Sequence, residues 1–465
     1  MQFLFFTVFS ILLKYRTDRD SLGPIKIPID AYYGPFTGRA IKQYNVTGRP
    51  SHKNLIISFV LIKRSAAVAN MKTKAINRKQ GTAIVKACDK ILAGKHLDQF
   101  LVDMINSGAG TAFNMNTNEV ITNVALKGLG KKQGQYEFLH PNDHVNMSQS
   151  SNDTYPTAMH MAILFSFRAM IRQIDYLIKT INKKAKQFSK YKKLGRTHLM
   201  DALPVTLGSE FAAYSTSLTN AKNQIIVSQK ELEQVALGGT AVGTGANTPK
   251  GYRKAVISEL ARVSKLPLKP QKDMQYSLQS KFPVANASSA LKNFAIELGK
   301  VSNDIRLMAS GPIAGLAELG IPAVHAGSSI MPGKVNPSLA ECMNMICFSI
   351  IGNDTTVSFA AQAGQFELNV MLPGMLKAVL DSTDMLTNFL PVFSDNLIDG
   401  LTANQNKLRE NIENSPVIVT LLTPKIGYLK SADLFKESLK TGKTIRELVV
   451  SKKLMTDKQV SALLG

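Results

Sequence analysis

From Thr157 to Leu194 the chain contains neither Pro nor Gly, and within that stretch Leu164, Phe167, Ile171, Ile174, Ile178, Ile181 and Ala185 recur at alternating spacings of three and four. One face of a 3.6-residue period is apolar throughout, so the pattern predicts a single helix from Thr157 to Lys193. At the usual rise such a helix is on the order of 55 Å long, more than the width of a small domain. It needs packing partners along its whole length. Other stretches of low Pro content follow at Leu207 to Leu237, Val284 to Ser310 and Pro337 to Pro373, the last interrupted by Gly352 and Gly364. The simplest architecture is mainly α: a central bundle of very long helices whose apolar faces exceed what one subunit covers, which predicts an oligomer.

The two ends read differently. The first 150 residues are broken by Gly23-Pro24, Pro28, Gly34-Pro35 and Gly108-Ala-Gly110, and read as mixed helix and loop. After Asn406 the period shortens around Pro416, Pro424 and Gly427, with helical segments at Ala432 to Lys440 and Thr444 to Lys453. The expected organisation is an apolar extension (1–15), a mixed helical domain (16–151), a long-helix domain (152–405) and a small helical C-terminal domain (406–465). A chain of 465 residues, 45% hydrophobic and 19% charged, has enough apolar material to fold throughout.

The formal net charge of +23 admits a basic scaffold for nucleic acid, because Lys and Arg neutralising phosphates dominate such binding. The basic residues are dispersed, however, and the densest run, Lys183, Lys184, Lys186, Lys190, Lys192 and Lys193, reads as the solvated side and end of the long helix. The same positive field draws in small dicarboxylates. Cys88, Cys342 and Cys347 show no CxxC or metal-ligand spacing, which argues against a disulfide framework or a zinc site and fits a reducing, cytoplasmic setting. The apolar start, Met1 to Leu13, is too short for a membrane span and lacks the basic start and cleavage site of a secretory signal. No membrane or nucleic-acid partner is expected.

Four segments are rich in Gly, hydroxyl and amide residues where neither helix nor strand propensity calls for them. Ser107-Gly-Ala-Gly-Thr111 lets backbone N–H groups approach a ligand and adds a hydroxyl; the bland alternative is a turn. Ser148-Gln-Ser-Ser-Asn152-Asp153, reached from His140-Pro-Asn-Asp143, stands just ahead of the long helix. There its hydroxyls either cap the helix or receive a carboxylate at the helix's positive end. Gly195-Arg-Thr-His198 sets a His beside Thr197 in a Gly-bounded loop. The most specific is Ala326-Gly-Ser-Ser-Ile-Met-Pro-Gly-Lys-Val-Asn-Pro337, a Pro-bracketed loop offering a base, a cation and an amide. A Ser hydroxyl serves as a base only where loop N–H groups and a nearby cation stabilise its oxyanion, and Lys334 supplies one.

These residues resemble the aspartase/fumarase superfamily, whose hallmark GSSxMxxKxN is present as Gly327, Ser328, Ser329, Met331, Lys334 and Asn336, with the other motif blocks in order from Arg16 to the end. The resemblance implies a three-domain, mainly helical fold, a homotetramer with active sites shared between subunits, no organic cofactor, no metal, and a small dicarboxylate substrate. It implies Ser328 as the base that removes the Cβ proton. The aci-carboxylate so formed would be held by Thr111, Ser150, Ser151 and Ser329. Thr197, Lys334 and Asn336 would bind the other carboxylate, Asn152 and His198 would face the leaving group, and Glu341 would orient His198. Blocks Ile29-Asp-Ala-Tyr-Tyr-Gly34, Gly108-Ala-Gly-Thr-Ala112, Gly352-Asn-Asp-Thr-Thr-Val357 and Ala363-Gly-Gln365 are similar to aspartate ammonia-lyases. Ser150-Ser-Asn152 with Pro156-Thr-Ala-Met-His160 is similar to fumarate hydratases. Deamination of L-aspartate to fumarate is the expected reaction, and hydration between fumarate and L-malate remains the alternative.

Overall fold

A computed structural model describes residues 14–325 and 330–464. The apolar segment 1–13, and with it most of the expected extension, lies outside the described residues, as do Ser328 and Ser329. The elements that matter for the site are, in chain order, a hairpin β1 (Tyr15–Asp20) and β2 (Gly23–Pro28), then α1 (Lys53–Lys72), α2 (Thr111–Gly128) and α3 (Ser151–Gln187). They are followed by a second hairpin, β3 (Lys192–Thr197) and β4 (Met200–Thr206), and by α4 (Leu207–Leu232), α5 (Phe282–Met308), α6 (Ser338–Gln362), α7 (Leu372–Phe393), α8 (Tyr428–Thr441) and α9 (Ile445–Ser451). The fold is mainly α: among the described residues the sheets are four two-stranded pairs.

The expected long helix is present, shifted toward the N-terminus. It takes in Pro156 in its second turn and ends before Lys193, because the chain leaves as strand β3. Residues Asp153 to Leu164 are buried on every side, so tertiary packing overrides the Pro, whose missing N–H would otherwise end a helix there. Farther on, Phe167, Met170, Ile174, Leu177 and Ile181 form the buried stripe, while Ile171 and Ile178 flank it half-buried. Two lysines of the basic run are also not solvated. Lys184 Nζ donates to Gln187 Oε1 and to the Leu401 carbonyl, both at 3.0 Å, and Lys193 pairs with Glu210 and Glu318 at 2.9 and 3.0 Å. Charge alone does not expose a lysine whose stem packs and whose ammonium finds oxygen.

Two compact units emerge from the contacts: Met1–Ala169, Ile225–Leu291 and Gly352–Asp384 in one, Met170–Gln224, Lys292–Ile351 and Met385–Gly465 in the other. The first centres on α1, α2 and the start of α3, where Phe59 packs edge-on against Phe113 and Tyr155 with ring centroids 5.1 and 5.6 Å apart. Helix α1 is the one described helix long and apolar enough to cross a membrane, yet most of it is buried inside the unit, which makes it a core helix. Burial all round also explains why the sequence read this region as mixed: a helix without a wet face loses the three-and-four rhythm. In the second unit, Leu194, Ile412, Ile418, Leu422, Leu434 and Leu448 belong to one hydrophobic cluster, which ties β3 to α8, α9 and the segment before them.

Candidate active site

The Gly-rich segment at 107–110 makes a left-handed corner. Ala109 and Gly110 have φ of 54° and 66°, and α2 starts at the next residue. A side chain on Gly110 would run into the Tyr155 ring, so only Gly lets α2 begin this close to α3. Ser107 closes the corner by accepting the Ala112 N–H on its Oγ at 2.9 Å. The result brings two predicted residues together: Thr111 Oγ1 and Ser151 Oγ are 3.1 Å apart.

The start of α3 is capped as its sequence suggested. Ser150 Oγ accepts the Asn152 N–H at 3.2 Å, and Asp153 Oδ1 accepts the Ser150 N–H at 3.0 Å. Asp153 Oδ2 accepts the N–H groups of Gly238 and Thr240 at 3.0 and 2.9 Å, pinning a second Gly-rich loop beside the cap. Burial pushes the Asp153 carboxyl up to about 6 against the pull of those three N–H groups. Asn152 Nδ2 donates to the Ala241 carbonyl at 2.9 Å, which fixes which way its amide points. Two half-exposed hydroxyls, a fixed amide and the positive ends of α2 and α3 thus face one place. An arrangement of this kind has the donors and the positive field to receive a carboxylate.

In the second unit, Thr197 and His198 lie on the turn of the β3–β4 hairpin. Thr197 pairs with Met200, leaving His198 and Leu199 at the tip with φ of 56° and 61°. This is the two-residue geometry that matches strand twist, and it exposes His198. The base of the hairpin is anchored by Arg196, which donates to Glu318 Oε1 at 2.7 Å. Burial works against the Glu318 carboxylate, and Arg196 with Lys193 outweighs it, holding the carboxyl below its ordinary value. Lys334 and Asn336 line a cleft of about 600 Å³ with Arg306, Ser310 and Gly311. Glu341, in the first turn of α6, lies 3.8 Å from Arg306, and within one chain no hydrogen bond or ion pair joins it to His198 among the described residues.

A lyase family model matches residues 23–352 of the chain, and a fumarase C C-terminus model matches residues 418–465. The chain belongs to the aspartase/fumarase superfamily. One relative from Bacillus sp., named aspartate ammonia-lyase, is 43% identical over 450 residues, 97% of this chain and 96% of the relative. Among solved structures, a fumarate lyase:delta crystallin from Brucella melitensis bound to cobalt superposes with a TM-score of 0.94 at 38% identity, covering 97% of this chain and 98% of that one. A recombinant class II fumarase from Schistosoma mansoni superposes with a TM-score of 0.92 at 35% identity, again over 97% and 98%. The chain is therefore a lyase of this superfamily, with its fold along nearly the whole length.

Sequence reasoning singled out the superfamily's hydroxyl and amide residues and passed over what stands behind them: Asp153 as an anchor, the loop at Gly238 to Ala241, and Lys63, an amine buried in α1. Asp153 and the Gly pair were visible as residue types. Nothing in the spacing reveals that a carboxylate at 153 bonds a backbone 85 residues away.

Proposed function

We propose that this lyase is an aspartate ammonia-lyase, converting L-aspartate to fumarate and ammonia. The observation that carries the reading is the cradle of Thr111 and Ser151 beside an amide of fixed orientation. With Nδ2 committed to the Ala241 carbonyl, Asn152 Oδ1 accepts a long 3.5 Å bond from Ser151 Oγ and keeps a second lone pair for a donor, which suits the ammonium of aspartate, a group that only donates. The name of the Bacillus relative points the same way. The fumarase neighbour keeps hydration of fumarate as the second reading, since a malate hydroxyl also donates to an amide oxygen.

In this mechanism Ser328 takes the Cβ proton, and the electron pair moves into the adjacent carboxylate, giving an aci-carboxylate dianion held by Thr111, Ser150, Ser151 and Ser329. The pair then returns to form the carbon–carbon double bond as the Cα–N bond breaks beside Asn152 and His198. Thr197, Lys334 and Asn336 hold the second carboxylate, and Glu341 orients His198. Donors placed where charge develops lower the barrier more than donors matched to the substrate. The Cβ proton is too weakly acidic to leave otherwise.

The proposal includes a homotetramer in which neighbouring subunits complete each site. Exposed Met345, Phe348 and Phe359 along α6 support assembly, because a soluble helix rarely leaves so much apolar surface wet. The test is fumarate absorbance after addition of L-aspartate or L-malate. Fumarate from L-aspartate is the expected result; fumarate from L-malate alone overturns the reading. Ser328→Ala is expected to lower kcat by about 10²–10⁴-fold without unfolding the chain.

A further inference from the structure

Lys63 sits in the middle of α1 with its side chain fully buried, and among the described residues its ammonium hydrogen-bonds no carboxylate. Nζ donates to Asn114 Oδ1 at 2.7 Å and to Asn146 Oδ1 at 2.9 Å, both neutral amides. Burial lowers the amine to about 7, and the ionisable groups whose fields pull the other way are Asp153 and Cys88. The Asp153 oxygens are taken by three backbone N–H groups, and burial keeps the Cys88 thiol protonated. An unpaired buried cation is expensive.

The two amides depend on Lys63 unequally. Asn146 Oδ1 also accepts Asn114 Nδ2 at 3.3 Å, whereas the single Thr154 hydroxyl proton near Asn114 Oδ1, at 3.3 Å, is shared with the Ser150 carbonyl at 2.8 Å, so Lys63 is the stronger donor to Asn114. What the network touches is informative. Asn114 stands one turn into α2 from Thr111, Thr154 is in the first turn of α3, and Asn146 Nδ2 bonds the Gln149 carbonyl just before Ser150. The ammonium therefore lies behind both halves of the hydroxyl cradle, where the mechanism adds a second negative charge to a carboxylate.

We propose that Lys63 is a positioning residue of the lyase reaction: through Asn114 and Asn146 it holds the Thr111 and Ser150–Asn152 segments in register, and in its protonated form it sets a positive charge behind the cradle that favours the aci-carboxylate dianion over the substrate carboxylate. The inference rests on the assignment of that cradle to the carboxylate beside the abstracted proton. A charge that acts on the dianion more than on the substrate changes kcat and leaves KM nearly alone, whereas general loosening of the cradle moves both.

Steady-state kinetics on the full-length protein test it, with Lys63→Met, which removes donor and charge, and Lys63→Gln, which keeps a donor and removes the charge. Both variants are expected to fold, with kcat lower by about 100-fold and KM within about threefold of wild type. Wild-type kcat in either folded variant overturns the proposal, and so does a rise in KM that accounts for the loss in kcat/KM. If Lys63→Met does not fold, Lys63→Gln decides by the same criteria. The wild-type control separates this from the reaction itself: turnover of L-malate alone moves the comparison to that substrate, and no turnover of either removes both the function and the role of Lys63.

Discussion

Burial sets the behaviour of several ionisable side chains in this lyase. Glu119 accepts the N–H groups of Gly34, Phe36 and Thr37 at 2.8 to 3.1 Å, and burial still pushes its carboxyl up to about 7. Lys281 is the opposite case: its Nζ donates to the Ser277 carbonyl, and burial lowers it to about 7. Below pH 7 folded and unfolded chains both hold the Lys281 proton, and the fold carries the full cost of the buried charge. From about 7 to 10.5 the unfolded chain keeps the proton and the folded one releases it, so stability rises with pH, by at most about 1.4 kcal/mol per pH unit. Lys281→Met is expected to raise the thermal midpoint at pH 6 and to flatten its rise between pH 7 and 10. A midpoint lowered at pH 6 would show that the ammonium is held by more than one carbonyl.

The corner ahead of α2 shows how an element depends on one backbone conformation. Gly110→Ala adds a methyl against Tyr155 at a positive φ, and is expected to destabilise the fold by about 3 kcal/mol and to separate Thr111 from Ser151, with loss of turnover. Denaturant unfolding and a fumarate assay check both. Elements were legible in the sequence to the extent that one face stays wet. The Pro-free run predicted α3 because its later turns alternate buried and exposed; α1 and α2, wrapped on nearly all sides, left no such alternation. Hairpin β3–β4 was read only as a Gly-bounded loop, since its strands are stabilised by the buried pairing of Arg196 and Lys193 with Glu318, far away in sequence. The site was legible as clusters of Gly, Ser, Thr and Asn, but the 3.1 Å approach of Thr111 to Ser151 depends on aromatic packing that spacing does not encode.

For the whole molecule, the proposed homotetramer accounts for the apolar surface left on the long helices. Phe348 and Phe359 are 63% and 65% exposed on α6, and burying them between subunits is worth about 1.5–3 kcal/mol each. Phe348→Asp with Phe359→Asp is expected to shift the sedimenting species from fourfold the chain mass to smaller ones and to reduce turnover. A fully assembled double variant would place the interface elsewhere. In the proposed homotetramer each pocket is built from both hydroxyl segments, the His198 turn and the loop that ends at Asn336. A crystal structure of the Ser328→Ala variant with L-aspartate tests this most directly. The account predicts one carboxylate on Thr111, Ser150 and Ser151, the other on Lys334 and Asn336, and the ammonium against Asn152 Oδ1; aspartate bound away from Thr111 and Ser151, or Lys334 remote from it in the assembled protein, would contradict it.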